Sequence, residues 1–146
     1  MRKVLSLALA AAGLLCAATA HAQNPNYNVG PVWRVTYVHI KPGQGDAFWA
    51  DVRTHLRPIW EEQKKQGLIT DYKLFNNATT NSPNDWSVAI AILYSNWAAL
   101  DQIDAKAATI ATAHYGSREA MLEAARKRAE ISDLVASHLA REIALK

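Results

Sequence analysis

Strand, helix and strand follow one another in residues 32–76, which read VWRVTYVHIKPGQGDAFWADVRTHLRPIWEEQKKQGLITDYKLFN. The first ten of these residues are rich in β-branched and aromatic side chains, a composition that favours a strand. Pro42-Gly43 then predicts a type II turn, because proline presets φ at one central position and glycine accepts the positive φ of the next. From Ala47 to Gln66 the apolar residues recur at helical spacing. The stretch therefore predicts a strand–helix–strand crossover unit.

Three residues set the bounds and the shape of the predicted helix. Asp46 is expected as its N-cap, and Gly67 as the residue just after its end. Pro58 lies inside the helical pattern and has no N–H to donate to the carbonyl of Thr54, so a kink is expected there. Alternating polarity in residues 68–76 then predicts the second strand. The apolar stripe that should face a sheet consists of Phe48, Val52, Leu56 and Ile59, widened by Trp49 and Trp60.

The third strand is the most apolar of the predicted strands. Residues 85–94 read DWSVAIAILY, and a polar loop at residues 77–84 joins them to the second strand as a hairpin. Side chains alternate along a strand, so Val88, Ile90 and Ile92 share one face while Ala89, Ala91 and Leu93 share the other. Both faces are apolar, so both should be covered. Helices in this topology cover only one face, and a twin subunit is the simplest cover for the other.

Two further helical stretches and an ambiguous tail complete the chain. Asn96 is expected to cap a helix from Trp97 to about Ala113, and Ser117 a third helical stretch. The apolar period of that stretch continues to Leu139. Residues 137–145 are the only candidate for a fourth strand, but their alanine spacing favours a helix, so both interpretations stay open.

The order of elements is thus β-α-β-β-α, followed by a C-terminal helix and a possible fourth strand. It predicts an α+β fold, a ferredoxin-like sandwich built on an antiparallel sheet. We expect one such domain over residues 32–146, preceded by a flexible lead-in at residues 23–31 that is rich in Asn, Gly and Pro.

Residues 32–75 and 85–101 resemble a known superfamily. The likeness consists of the first strand with its KPG turn at residues 41–43, the long helix with its Trp and Pro residues, the KQG ending at 65–67, and the hairpin that leads into YSNWAALD at 94–101. These features are similar to those of dimeric α+β barrel proteins, which include antibiotic-biosynthesis-type monooxygenases, haem-degrading enzymes and stress-responsive barrels. The resemblance implies a homodimer with two sheets packed face to face and a ligand cleft between sheet and helices. Its motifs are structural and specify no activity.

Residues 1–22 have the three-part layout of a secretory signal peptide. Arg2 and Lys3 give a positive start, residues 4–15 are apolar, and Ala20-His21-Ala22 places small residues where a signal peptidase needs them. The apolar run is shorter than the roughly 20 residues that span a bilayer. We therefore expect an exported protein, periplasmic or extracellular in a bacterium, with no stable membrane anchor after cleavage.

Cleavage after Ala22 would change the chemistry of the chain. It leaves 124 of the 146 residues, lowers the formal charge from +3 to about +1, and removes Cys16, the only cysteine. Bulky Leu15 before Cys16 argues against lipid attachment there. The mature chain would then have no thiol for a disulfide, a metal or a nucleophile. With no basic stripe, nucleic acid is not an expected partner.

Histidines are the candidate catalytic groups. Imidazole exchanges protons in the physiological pH range, and His55 lies at the edge of the helix face turned toward the sheet, so it is a candidate general base. The competing interpretation is a boundary histidine with local hydrogen bonds. His114 could serve as an axial haem ligand, as a histidine does in haem-degrading relatives. No histidine spacing matches a metal-binding motif, and no cofactor is expected.

Aromatic residues are numerous for one small domain and suggest a ligand cleft. The candidate lining residues are Tyr37, His39, Trp60, Tyr72 and Trp86. The competing interpretation is that large aromatics fill the layer between helices and sheet and the seam of a dimer.

The sequence thus favours an exported homodimer that binds a small apolar or aromatic ligand or has a structural role. The alternative is a cofactor-independent monooxygenase or isomerase that acts on an aromatic or quinol-like substrate, with His55 as its base.

Overall fold

A four-stranded antiparallel sheet organises the part of the chain that the structure describes. The structure, a computed structural model, describes residues 25–79, 81–101 and 103–146; the expected signal peptide and the first two residues of the lead-in lie outside them. The strands are β1 (Tyr27–Ile40), β2 (Asp71–Asn76), β3 (Val88–Tyr94) and β4 (Ser132–Leu145). Their order in the sheet is β2-β3-β1-β4. With helical crossovers after β1 and after β3, this is a ferredoxin-like α+β fold, and the fold predicted from the sequence is confirmed.

The two crossovers carry the helices. The first contains α1 (Gly45–Asp51), a π-helical turn (Val52–Leu56) and α2 (Arg57–Lys65). The second contains a 3-10 turn (Trp97–Leu100), α3 (Ile103–Tyr115) and α4 (Arg118–Ile131). Ser117 caps α4 as predicted, since its side chain accepts from the backbone N–H of Ala120. The helix predicted from Trp97 to about Ala113 is instead a 3-10 turn followed by α3, and Asn96 caps the turn by accepting from the backbone N–H of Ala99.

The π-helical turn lies just before the proline in the first crossover. Pro58 is the second residue of α2 and cannot donate to the carbonyl of Thr54. The backbone N–H of Arg57 reaches back five residues to the carbonyl of Val52, as in a π-helix. The chain therefore compensates for the lost hydrogen bond by forming a wider, π-helical turn. Asp46 is not the N-cap: the cap position is Gln44, and Asp46 lies in the first turn of α1, where its charge favours the helix dipole.

The end of α2 follows the prediction. Gly67 has φ +70°, the left-handed conformation that glycine adopts without a steric penalty. Its N–H donates to the carbonyl of Lys64 at 3.0 Å, and the N–H of Leu68 donates to that of Gln63 at 2.9 Å. These two bonds form a Schellman motif, which satisfies carbonyls at the end of the helix.

The C-terminal stretch is a strand over its whole length. The helical period that the sequence suggests up to Leu139 ends at Ile131, and β4 begins at Ser132, so the expected C-terminal helix is wrong for residues 132–145. Ser132 is extended, and its hydroxyl donates to the carbonyl of Arg128. The physical reason is that β1 lies inside the sheet and its second edge needs hydrogen-bond partners, which outweigh the local helix propensity of the alanines.

The first strand starts earlier than the sequence predicts. β1 begins at Tyr27, inside the segment expected as a flexible lead-in, and its first residues pair with the end of β4. β3 pairs only with residues 32–38 of β1. Residues 27–31 and 142–145 therefore extend past the rest of the sheet as a two-stranded ribbon.

One face of the sheet packs on the helices. The fully buried side chains of the described residues are Phe48, Val32 and Val88, and they join Val52 and Trp60 in one cluster between helices and sheet. The predicted apolar helix stripe thus faces the core.

Among the described residues, no helix packs on the other face of the sheet. We call this the open face; its apolar residues are Trp33, Val35 and Tyr37 on β1, Phe75 on β2, and Ala89, Ala91 and Leu93 on β3. Ala89 lies between Tyr37 and Phe75, its partners on the two neighbouring strands, and is 3% exposed, whereas Phe75 is 50% exposed. Both faces of β3 are therefore apolar, as the sequence predicts.

Candidate functional site

Two histidines from different crossovers meet in the helical layer. Nδ1 of His55, in the π-helical turn, lies 3.1 Å from Nε2 of His114, in the last turn of α3, within hydrogen-bond distance. The rings are nearly perpendicular, with centroids 5.3 Å apart. The ring of Tyr115 packs on His55 at 4.9 Å. The structure thus joins two residues that the sequence raises for separate roles.

Local sequence explains why both histidines reach this place. The π-helical turn shifts the phase of the helix at His55 relative to an unbroken α-helix. α3 ends at Tyr115 because Gly116 takes φ +83°, and a histidine in the last turn suits the negative end of the helix dipole.

A partly buried ion pair supports this corner. Arg128 of α4 donates from Nε to Asp51 at 2.6 Å and from Nη2 at 3.2 Å, and Nη2 also donates to the hydroxyl of Tyr115 at 3.1 Å. Burial disfavours the charged guanidinium, but its bonds to Asp51 and Tyr115 outweigh that penalty and raise the pKa of Arg128. Arg128 thus holds the hydroxyl of Tyr115, whose ring packs on His55.

A pocket of about 530 Å³ lies beside His114, between α2 and α3. We call it the α2–α3 pocket. Its apolar lining is Pro58, Ile59, Ile110 and Ala113; its polar lining is Glu62, Gln66, Lys106, Thr109 and His114. The volume and the mixture of apolar walls with a few polar groups are typical of sites for small organic molecules.

The two charged side chains of the pocket, Glu62 and Lys106, differ in whether they already have a partner. Gln66 donates to Glu62 at 2.8 Å, and Lys65 lies 3.6 Å from the same carboxylate. The bond from Gln66, followed by the charge of Lys65, lowers the pKa of Glu62, so this group is ionised and already has its partners. Lys106 has neither a hydrogen bond nor an ion pair with any other described residue. The pocket therefore has one positive charge available to a ligand.

The five lining residues predicted from the sequence lie on two sides of the sheet. Tyr37 contacts Trp86 edge-on at 5.3 Å on the open face, and Nδ1 of His39 lies 2.8 Å from the carbonyl of Asp85.

On the helical side, Trp60 packs against Tyr72 at 5.1 Å, and the hydroxyl of Tyr72 donates to Glu61 at 2.6 Å. Burial, and then the bond to Glu61, raise the pKa of Tyr72. The sheet separates the two groups, and neither lines the α2–α3 pocket.

Sequence reasoning missed most of the pocket. Lys106, Thr109 and Ala113 repeat at helical spacing on α3, as Ile59, Glu62 and Gln66 do on α2. The signal is visible in the sequence, but it identifies a pocket only when the pairing of the two helices is known.

No metal-binding cluster and no membrane-spanning helix occur among the described residues. Within residues 25–79, 81–101 and 103–146, no three His, Cys, Asp or Glu side chains cluster closely enough to hold a metal ion. Nε2 of His114, raised above as a haem ligand, lies beside His55. The helices of the same residues are too short or too polar to cross a bilayer.

Two solved structures resemble this chain in fold, with little identity in sequence. No protein-family profile matches the chain, and no curated protein matches it. Among solved structures, the fold is similar to HapK from Hahella chejuensis, with a TM-score of 0.49 and 12% identity over 76% of this chain and 91% of HapK. It is also similar to a dimeric ferredoxin-like protein from an uncultured marine organism, with a TM-score of 0.42 and 14% identity over 82% of this chain and 96% of that one. The fold assignment itself rests on the strand order.

Replacing Arg128 with methionine should destabilise the domain by about 2 kcal/mol, because it leaves the carboxylate of Asp51 without a partner in a largely buried place. Arg126→Met is the matched control: that side chain is 71% exposed and, among the described residues, pairs with Glu123, three residues away. Its loss should cost about 0.3 kcal/mol. Urea unfolding measures both, and equal losses would show that the Arg128–Asp51 pair is not a structural support.

Proposed function

We propose that this protein is an exported homodimer that binds a small ligand in the α2–α3 pocket. The observation that carries the proposal is the pocket itself: apolar walls from two helices, bounded by His114 and by the uncompensated charge of Lys106.

Export is supported by the layout of residues 1–22. A positive start, a short apolar run and small residues before Gln23 are the features that a signal peptidase recognises. The mature chain would begin at Gln23, which N-terminal sequencing of the exported protein reads directly. Four residues would then separate this end from Tyr27, where β1 begins.

Dimerisation is supported by the open face. Phe75 is 50% exposed there, while Ala89 and Ala91 beside it are nearly inaccessible, so the face is an apolar surface with large side chains around small ones. A twofold axis would bring the same surface from a second copy against it. A second subunit would then remove this apolar area from water, which is the main driving force of association.

Phe75→Glu should convert the dimer to a monomer, because the new charge would lie inside the interface. Light scattering on the purified protein measures the change. Leu122→Glu is the matched control, since Leu122 is similarly exposed, at 45%, but lies on α4 in the helical layer. The control should remain dimeric. A monomeric parent protein, or equal dissociation of both variants, would contradict the open-face dimer.

Ala113→Trp should abolish ligand binding, because the indole would fill the pocket from its α3 wall. Ala113 is exposed, so the helix can accept a larger side chain. Ligand-observed NMR with small aromatic and aliphatic compounds should detect binding to the parent protein that weakens roughly tenfold or more in the variant. Ala125→Trp, an exposed alanine of α4 outside the pocket lining, is the control. Equal binding by both variants would place the ligand elsewhere.

The contact between His55 and His114 favours a second candidate function, the cofactor-independent monooxygenase or isomerase. A general base must pass its proton on, and His114 lies within hydrogen-bond distance of His55 and also lines the pocket. His55 would take up the proton of a phenol or quinol through His114, the member of the pair that lines the pocket, and the resulting anion would be electron-rich enough to react with oxygen.

Turnover distinguishes this candidate from binding alone. With a simple hydroquinone under air, an enzyme should consume oxygen, and His55→Phe should slow consumption about a hundredfold through loss of the base. His138→Phe, a change to an exposed histidine of β4, should leave the rate unchanged. No uptake above the spontaneous rate, or equal uptake by both variants, would remove the enzymatic candidate.

A further inference from the structure

The α2–α3 pocket has two chemically different ends. The contact between His55, before α2, and His114, at the end of α3, means that the two helices run antiparallel. Lys106 precedes His114 by eight residues, about 12 Å along the helix axis. It also borders a smaller cavity together with Gly67 and Leu68, so it lies near the C-terminal end of α2.

The walls between these ends are apolar and come from both helices. Ile59 and Ile110 are each 7% exposed, so their side chains are fixed in the packing below the pocket. Pro58 and Ala113 complete the apolar lining, and neither carries a polar side-chain atom. This middle section suits a flat hydrocarbon or aromatic group.

The Lys106 end suits an anion. The carboxylate of Glu62 is already held by Gln66 and Lys65, whereas the ammonium of Lys106 has no partner among the described residues. A ligand carboxylate can therefore form a charge-assisted hydrogen bond with Lys106 without competing with an existing ion pair.

The histidine end suits a hydroxyl. In a hydrogen-bonded pair of neutral imidazoles, the second nitrogen of the donor ring is unprotonated and can accept a hydrogen bond. The second nitrogen of the acceptor ring is protonated and can donate one. The outer nitrogen of His114 is thus an acceptor in one arrangement and a donor in the other. A hydroxyl can donate or accept, so it satisfies either arrangement.

From these two ends we infer that the ligand is an elongated aromatic acid with a carboxylate at one end and a hydroxyl at the other, the hydroxycinnamate type of molecule. The carboxylate binds Lys106, the ring lies over Ile59 and Ile110, and the hydroxyl contacts His114. This inference rests on the proposed function and specifies the ligand class for the same pocket.

Equilibrium dialysis with three probes tests the inference, with each probe quantified by its own absorbance. The probes are 4-hydroxycinnamate, cinnamate, which lacks the hydroxyl, and methyl 4-hydroxycinnamate, which lacks the charge. The purified protein should bind 4-hydroxycinnamate about fivefold more tightly than either analogue, since each exposed polar contact contributes modestly.

Lys106→Met should weaken the binding of 4-hydroxycinnamate about fivefold and leave the binding of the methyl ester unchanged, because only the acid can pair with the lysine charge. Lys127→Met, an exposed lysine of α4 outside the pocket lining, should change neither. Equal binding of all three probes, a loss in Lys106→Met that is the same for acid and ester, or no binding of any probe overturns the inferred ligand class.

The Ala113→Trp variant separates this failure from failure of the proposed function. If the three probes bind equally and Ala113→Trp blocks all of them, the pocket is the site and the ligand class is wrong. If Ala113→Trp has no effect on any compound that binds, the pocket is not the site, and the proposed function fails with the inference.

Discussion

The position of β1 inside the sheet is the constraint on which the rest of the structure depends. Its N–H and C=O groups point to both sides, and each side needs a partner strand, since unpaired backbone groups in a sheet are costly. β3 supplies one side over residues 32–38, and β4 supplies the other over nearly the full length of β1. Both crossovers return the chain across one face, which places the helices of the described residues there and leaves the open face without a helical cover.

The candidate site lies between helices that pack on the same face of the sheet. α2 and α3 belong to different crossovers and meet only because both pack on the same face of the sheet. Pro58 removes one helical hydrogen bond, and the adjoining π-helical turn carries His55, which reaches His114. The ion pair between Arg128 and Asp51 links α4 to α1 behind these residues. The pocket is therefore a product of packing between segments that are distant in sequence.

The sequence predicts what depends on local patterns. Apolar periodicity, the turn at Pro42-Gly43 and the end of α2 at Gly67 follow from residues close in the chain, and the fold class follows from their order. The sequence offers residues 137–145 as a strand or a helix and leaves the choice open, because their alanines favour helix locally and only the free edge of β1 makes them a strand. The same limit applies to the site: His55 was identified by its chemistry, but its neighbour His114 and the charge of Lys106 come from the other crossover.

The pairing of β1 with β4 also constrains the order in which the domain can form. Thr36 lies opposite Ser137, 101 residues later, so the central ladder closes only after both crossovers are available. Contacts of such long sequence separation slow folding, because the entropy of closing a large loop is lost before the contact forms. A chain that lacks β4 keeps the edge of β1 exposed and its helices without a complete sheet beneath them. Completion of the fold is thus delayed until the last strand arrives.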